Sequence, residues 1–253
     1  MSGEESDNKI NLVSFSELIS EVYTYGRLNW RQILKLTVIP VLIYTGVIVG
    51  GHVLTIEYYS IELLFYIIEY IPLAIFAVAL HRRYLLEEEA WVGLGDREIR
   101  YIAYAIFIAI IPQIIIFLSD NLTSQDVFPS PKLISNLIFL YISIRLSLVF
   151  PIAAVDFSGR ISDHFRLSWS KLSHNVGAMF GVLFFSVLIY VVISYGLEFM
   201  YDLSQQGTET NLLKFTLFEL VDNIFFILAS GCDVIAVSYT FKKLVLSRMP
   251  THS

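Results

Sequence analysis

The sequence predicts an all-α, polytopic membrane protein with six transmembrane helices and two amphipathic helices on the cytoplasmic side. Three observations predict it. Hydrophobic residues make up 56% of the 253 and charged residues 16%, with a mean hydropathy of +0.66, whereas soluble domains carry about a quarter charged residues. Six apolar segments reach the ~20 residues of helix that cross the hydrocarbon layer: 33–56, 61–81, 101–118, 133–155, 176–201 and 215–240. They are too long and too evenly apolar for barrel strands, which run ~10 residues with alternating polarity. Finally, 13 of the 17 Lys and Arg fall in the N-terminal segment, the 82–100 and 156–175 connections and the C-terminal tail, while only Lys132 and Lys214 lie on the other side. By the positive-inside rule both termini are expected in the cytoplasm.

Taken in order, residues 1–12 are polar, carry Glu4, Glu5 and Asp7, and are predicted disordered. They lack a basic region before a short apolar core, so no cleaved signal peptide is expected. A single membrane domain is predicted over 13–245, followed by a cytoplasmic tail, 246–253. Its first element is amphipathic: Phe15, Leu18, Ile19 and Val22 recur at helical spacing, with Glu17, Ser20, Glu21 and Thr24 on other faces. Ser14 and Glu17 match a capping box, and Asn29 is expected to open the first span. Before the fifth span a second stripe, Ile161, Phe165, Trp169 and Leu172, predicts another amphipathic helix, with Asn175 opening the span that follows.

The loops between spans on the outer side, 57–60, 119–131 and 202–211, are short or turn-rich. The three tryptophans, Trp30, Trp91 and Trp169, all fall on the cytoplasmic side as expected interfacial anchors. The single cysteine, Cys232, excludes an internal disulfide and a multi-cysteine metal site. The formal net charge of −6 identifies no partner, because the basic residues gather on the face where anionic lipid would attract them.

The two amphipathic segments share a design. Shifted by 146 residues, Ser16-Glu17 falls on Ser162-Asp163, Tyr23 on Trp169 and Asn29 on Asn175, and each segment leads to a basic pair, Arg82-Arg83 or Lys242-Lys243. This match suggests a weak parallel repeat, with the third and fourth spans inserted between its copies; the alternative is that any interfacial helix feeding a span shares this design.

The run Arg145-Leu146-Ser147-Leu148-Val149-Phe150-Pro151, then Asp156, Phe165-Arg166-Leu167-Ser168-Trp169 and Asn175, resembles a signature of prokaryotic six-helix integral membrane proteins of unknown function. These are related to the membrane domain of glycerophosphodiester phosphodiesterases. Ser14-Phe15-Ser16-Glu17-Leu18-Ile19 followed by Asn29 resembles that group's N-terminus. The chain departs from the group at Ile161-Ser162-Asp163-His164, where a small-residue or proline start is commoner. The resemblance implies a fold and no reaction, since a phosphodiesterase needs a soluble barrel of ~250 residues, which no segment here supplies.

Five charges inside the predicted spans form the candidate site: Glu69, Arg145, Glu219, Asp222 and Asp233. At ~1.5 Å per residue, Glu69 and Asp222 lie ~12–14 Å from the outer ends and Arg145 ~18 Å. An Arg at mid-membrane costs at least ~2.5–3.5 kcal/mol. Arg145 is therefore expected to contact Asp222 or Glu69 and so hold helices two, four and six together. Glu219 should be partly wet, and Asp233 should reach the basic tail or Arg166. The acids outnumber the one cation, which leaves a proton-coupled or ion-transport role as the alternative. Prolines 40, 72, 112 and 151 permit kinks in either case.

No HExxH, Walker loop, GxSxG elbow or paired Cys/His set is present. No enzyme activity and no cofactor or metal are expected. His81, His164 and His174 are expected as interfacial polar residues, and Ser158-Gly159-Arg160 as an ordinary turn. Asn121-Leu122-Thr123 has sequon spacing. The expected partners are membrane lipids and another membrane protein, with no nucleic acid. The role expected is structural, regulatory or accessory in the cytoplasmic (inner) membrane.

Overall fold

The computed structural model describes residues 12–55, 68, 70–89, 93–108, 131–157, 159–205 and 212–248, all helix, turn or connection with no strand among them. Glu69, Trp91, Pro112, Ser158, the sequon at 121–123, His252, residues 1–11 and the outer loops but for a few flanking residues lie outside that description.

The first helix, α1 (Phe15–Thr55), runs 41 residues, about 61 Å, twice the hydrocarbon thickness. The predicted turn between amphipathic segment and span does not form. Asn29 sits in mid-helix with its side-chain amide donating to the Tyr25 carbonyl, 3.0 Å. No proline separates the two segments and the single Gly26 between them costs only about 1 kcal/mol, so propagation, which adds one backbone bond per residue, wins. The capping box does form: Ser14 Oγ accepts from the Glu17 N–H at 3.2 Å, and Glu17 Oε2 accepts from the Ser14 N–H at 3.5 Å.

Helix α2 (Tyr70–Leu86) continues five residues past the predicted span. Residues 96–108 form α3, which starts before the predicted 101. The fourth span is not one helix. It divides into α4 (Pro131–Leu146) and α5 (Val149–Ala154), with a turn at Ser147-Leu148. The break falls four residues before Pro151, whose ring would meet the Ser147 carbonyl and which has no N–H to give it. Next come α6 (Ile161–Lys171), α7 (Val176–Gln205) and α8 (Leu212–Leu244), then a 3₁₀ turn, Leu246–Arg248. Among the described residues, three helices are long and apolar enough to cross a membrane, within Phe15–Val53, Val176–Asp202 and Leu212–Leu244.

Helix α8 is the hub, packed against α1, α2 and α7. One core joins Leu18, Leu148, Ile152, Leu172, Met179 and Phe241. A second gathers Ile33, Phe76, Leu80, Ile227 and Ile235, and a third puts Tyr104 and Ile108 against Leu146 and Val149. By contrast, α7 leaves Phe184, Leu188, Val192, Tyr195 and Phe199 exposed.

The proposed repeat parts at its asparagines. Asn175 lies in the turn before α7, where its Oδ1 accepts the Val13 N–H at 2.7 Å in a buried contact. It thus holds the entrance to α1, while Asn29 only back-bonds within its helix.

Candidate functional site

Helix α6 faces the protein with its polar side. His164, Ser168 and then Leu172 are buried, whereas Ile161 and Trp169 of the predicted apolar stripe are exposed. The cause is the break in the fourth span. A helix interruption leaves a carbonyl and an N–H without intrahelical partners, and burial makes that costly. Ser168 Oγ supplies both: it donates to the Arg145 carbonyl at 2.8 Å and accepts from the Leu148 N–H at 3.1 Å. One fully buried hydroxyl therefore ties α6 to the broken helix.

The same contact sets Arg145. Its side chain is only 8% exposed. Its guanidinium carbon lies 4.3 Å from the Trp169 ring centroid and 5.7 Å from that of Tyr141, whose hydroxyl accepts from Nη1 at 3.3 Å. Nε is buried with no acceptor, and among the described residues no carboxylate lies within ion-pair distance. The expected Arg145–Asp222 contact does not form, because the break carries Arg145 to the end of its helix, beside α6 and its aromatic ring. Among the described residues its partners are aromatic faces rather than acids; the expected alternative, Glu69, lies outside the described residues.

The acids of α8 instead face hydroxyls of α7. Asp222 Oδ2 accepts from Tyr190 at 2.8 Å, and Asp233 Oδ1 accepts from Ser186 at 2.5 Å. Asp233 meets neither the basic tail nor Arg166. Glu219 is half-buried one turn from Asp222, and Asp222 Oδ1 is buried without a hydrogen-bond partner among the described residues. Nearby, Asn223 donates to Thr45 of α1 at 3.1 Å. Sequence reasoning found the acids and missed the hydroxyls. Their signal was the four-residue spacing of Ser186, Tyr190 and Ser194, which places them on one face of α7.

Two histidines expected at the interface are buried. His81, 1% exposed, pairs through Nδ1 with Ser238 Oγ at 2.7 Å. Since the Ser238 hydroxyl donates to the Val234 carbonyl, it accepts from His81. His164 Nδ1 pairs with the Tyr104 hydroxyl at 3.1 Å. His174 stays exposed.

Charges also fasten the ends of the helices. Lys243 Nζ donates to both Glu17 oxygens, at 2.6 and 2.7 Å, and to the Leu12 carbonyl at 3.1 Å. Lys243 and the Tyr239 hydroxyl, which also donates to Glu17, hold the Glu17 carboxyl below its ordinary range. Burial, helped by the 2.6 Å bond to Glu21, pushes the Tyr84 phenol up. Asp156 pairs with both Arg97 and Arg100, and Arg82 with Glu88, around a cavity of 450 Å³. Trp30 and Trp169 are both exposed.

No family model, curated protein or solved structure matches the chain. The six-helix resemblance rests on its quoted motifs alone. Among the described residues, no three His, Cys, Asp or Glu side chains gather as a metal site.

Proposed function

We propose that this chain is a multi-pass protein of the cytoplasmic membrane, with six crossings and both termini inside, acting as a structural, regulatory or accessory component. The observation that carries this reading is the surface of α7, a helix long enough to span, whose Phe184, Leu188, Val192 and Phe199 are uncovered. Water does not tolerate a contiguous apolar face of that size, and lipid does. The position of Arg145 supports a structural part for it. A cation stacked on the tryptophan of α6 belongs at the level where indoles sit, with α6 lying in the cytoplasmic interface. Its exposed Ile161 and Trp169 would then meet lipid. Reporter fusions after Tyr59, Ser124 and Gln206 should report the outside, and fusions after Glu88, Ser170 and Ser253 the cytoplasm. A cytoplasmic signal from the first group would overturn the topology.

A second reading has one specific observation behind it, the seam of Asp222, Asp233 and Glu219 against Ser186 and Tyr190. Intramembrane acids facing a helix interface are a common arrangement in proton and cation pathways. In this reading Arg145 plays no direct part. Proton flux in proteoliposomes that falls in Asp222→Asn, with the fold retained, would favour transport; no flux above empty vesicles would dismiss it.

A further inference from the structure

We infer that the cytoplasmic half of α1, together with the end of α2, forms a binding site for the phosphate of an anionic phospholipid. Arg27, Arg31 and Lys35 stand four residues apart and thus on one stripe of the helix. All three are exposed, and none forms an ion pair among the described residues. The chain contains no Asp or Glu from Val22 to Ile56, so no acid of α1 lies within a turn of the stripe. Arg27 lies 5.9 Å from the Tyr23 ring and Arg31 5.3 Å from the Trp30 ring, contacts that leave guanidinium donors free for an anion.

At its lower end the stripe meets a groove of about 320 Å³ between α1 and α2, lined by Gln32, Lys35, Leu36, Arg83 and Glu89. Arg83 is oriented there by a 2.8 Å bond to Gln32. Among the described residues, stripe and groove together hold four cations and one acid. Just past Lys35 the exposed surface becomes apolar, with Val38, Ile39 and Leu42. This sequence of surfaces, cationic then apolar along one helix, matches an amphiphile with a charged headgroup and acyl chains better than a soluble anion. The depth agrees. From Lys35 to Thr55 the helix rises about 30 Å, the thickness of the hydrocarbon layer, so Lys35 falls at its cytoplasmic edge, Arg31 about 6 Å farther out in the headgroup layer and Arg27 about 12 Å out, where its long side chain reaches back to that layer's outer margin.

The inference rests on the membrane reading, and its test separates the two. Carbonate extraction of the full-length chain from membranes comes first: release into the soluble fraction would defeat the membrane reading itself. The detergent-purified chain is then titrated with phosphatidylglycerol, phosphatidylcholine or inorganic phosphate and followed by native mass spectrometry. Wild type should retain phosphatidylglycerol at a concentration at least about tenfold below that for phosphatidylcholine, since each basic residue near the surface contributes ~1 kcal/mol, about fivefold. Arg27→Gln/Arg31→Gln/Lys35→Gln should lose that preference, and Arg27→Lys/Arg31→Lys should keep it. Lys35→Glu alone, an exposed change that does not disturb the core, should weaken phosphatidylglycerol retention at least fivefold. A membrane-embedded protein with no preference, or a preference that survives either charge-removing variant, would overturn the inference. Displacement of the lipid by inorganic phosphate at equal concentration would also overturn it, by making the site one for free phosphate.

Discussion

Ser168 offers the sharpest test of how the fold holds together, because one hydroxyl serves two backbone groups that have no other partner. Ser168→Ala removes the 2.8 Å bond to the Arg145 carbonyl and the 3.1 Å bond from the Leu148 N–H. Each is buried, and leaving a buried backbone group unsatisfied costs about 1–3 kcal/mol. The added void is a single oxygen and contributes little. Together the two losses come to roughly 2–6 kcal/mol, a drop of about 5–20 °C in Tm for a chain of this size. Thermal unfolding in detergent measures it, with Ser170→Ala as the control. Ser170 is exposed and bonds only to the Leu167 carbonyl of its own helix, so its loss should stay within about 0.5 kcal/mol. The cause of the break can be tested in the same series. Pro151→Ala permits a continuous helix, in which Leu148 and Arg145 regain intrahelical partners, so in that background Ser168→Ala should cost much less. Equal effects of the Ser168 and Ser170 changes, or strict additivity of Pro151→Ala and Ser168→Ala, would refute the account.

Other expectations follow from the same geometry. Arg145→Ala and Trp169→Ala should be coupled by about 1–2 kcal/mol in a double-mutant cycle on Tm, the range for a desolvated cation–π pair; no coupling would remove the stack as the partner of Arg145. Asn175→Ala deprives the Val13 N–H of its acceptor and should cost about 1–2 kcal/mol, with faster proteolytic cleavage near residue 12; unchanged cleavage would count against the latch. Glu17, with its acidity strengthened by Lys243 and Tyr239, contributes stability that is present above the ordinary carboxylate pKa and lost as pH falls through the lowered folded value. Thermal stability of wild type should therefore decline more steeply on acidification below about pH 4.5 than that of Glu17→Gln, and parallel curves would dismiss the linkage.

The helices were legible in the sequence because their signals are local. Apolar length located the fifth and sixth spans to within a few residues, and the Ser14/Glu17 capping box marked the start of α1. The acids of the candidate seam were legible as well, since a carboxylate in an apolar run stands out against its neighbours. Pairing was not. The partner of Arg145 depends on a break that Pro151 makes legible only after the fact, and on α6 folding back so that Trp169 covers the guanidinium. Likewise Asn29 and Asn175 look equivalent in sequence, yet only Asn175 has another chain end beside it. Composition, spacing and propensity determined that this chain is helical and where its apolar stretches lie. Which polar group meets which was decided by tertiary structure, because a buried hydrogen bond or cation–π contact requires two side chains within a few ångströms, and that proximity comes from packing between segments far apart in the chain.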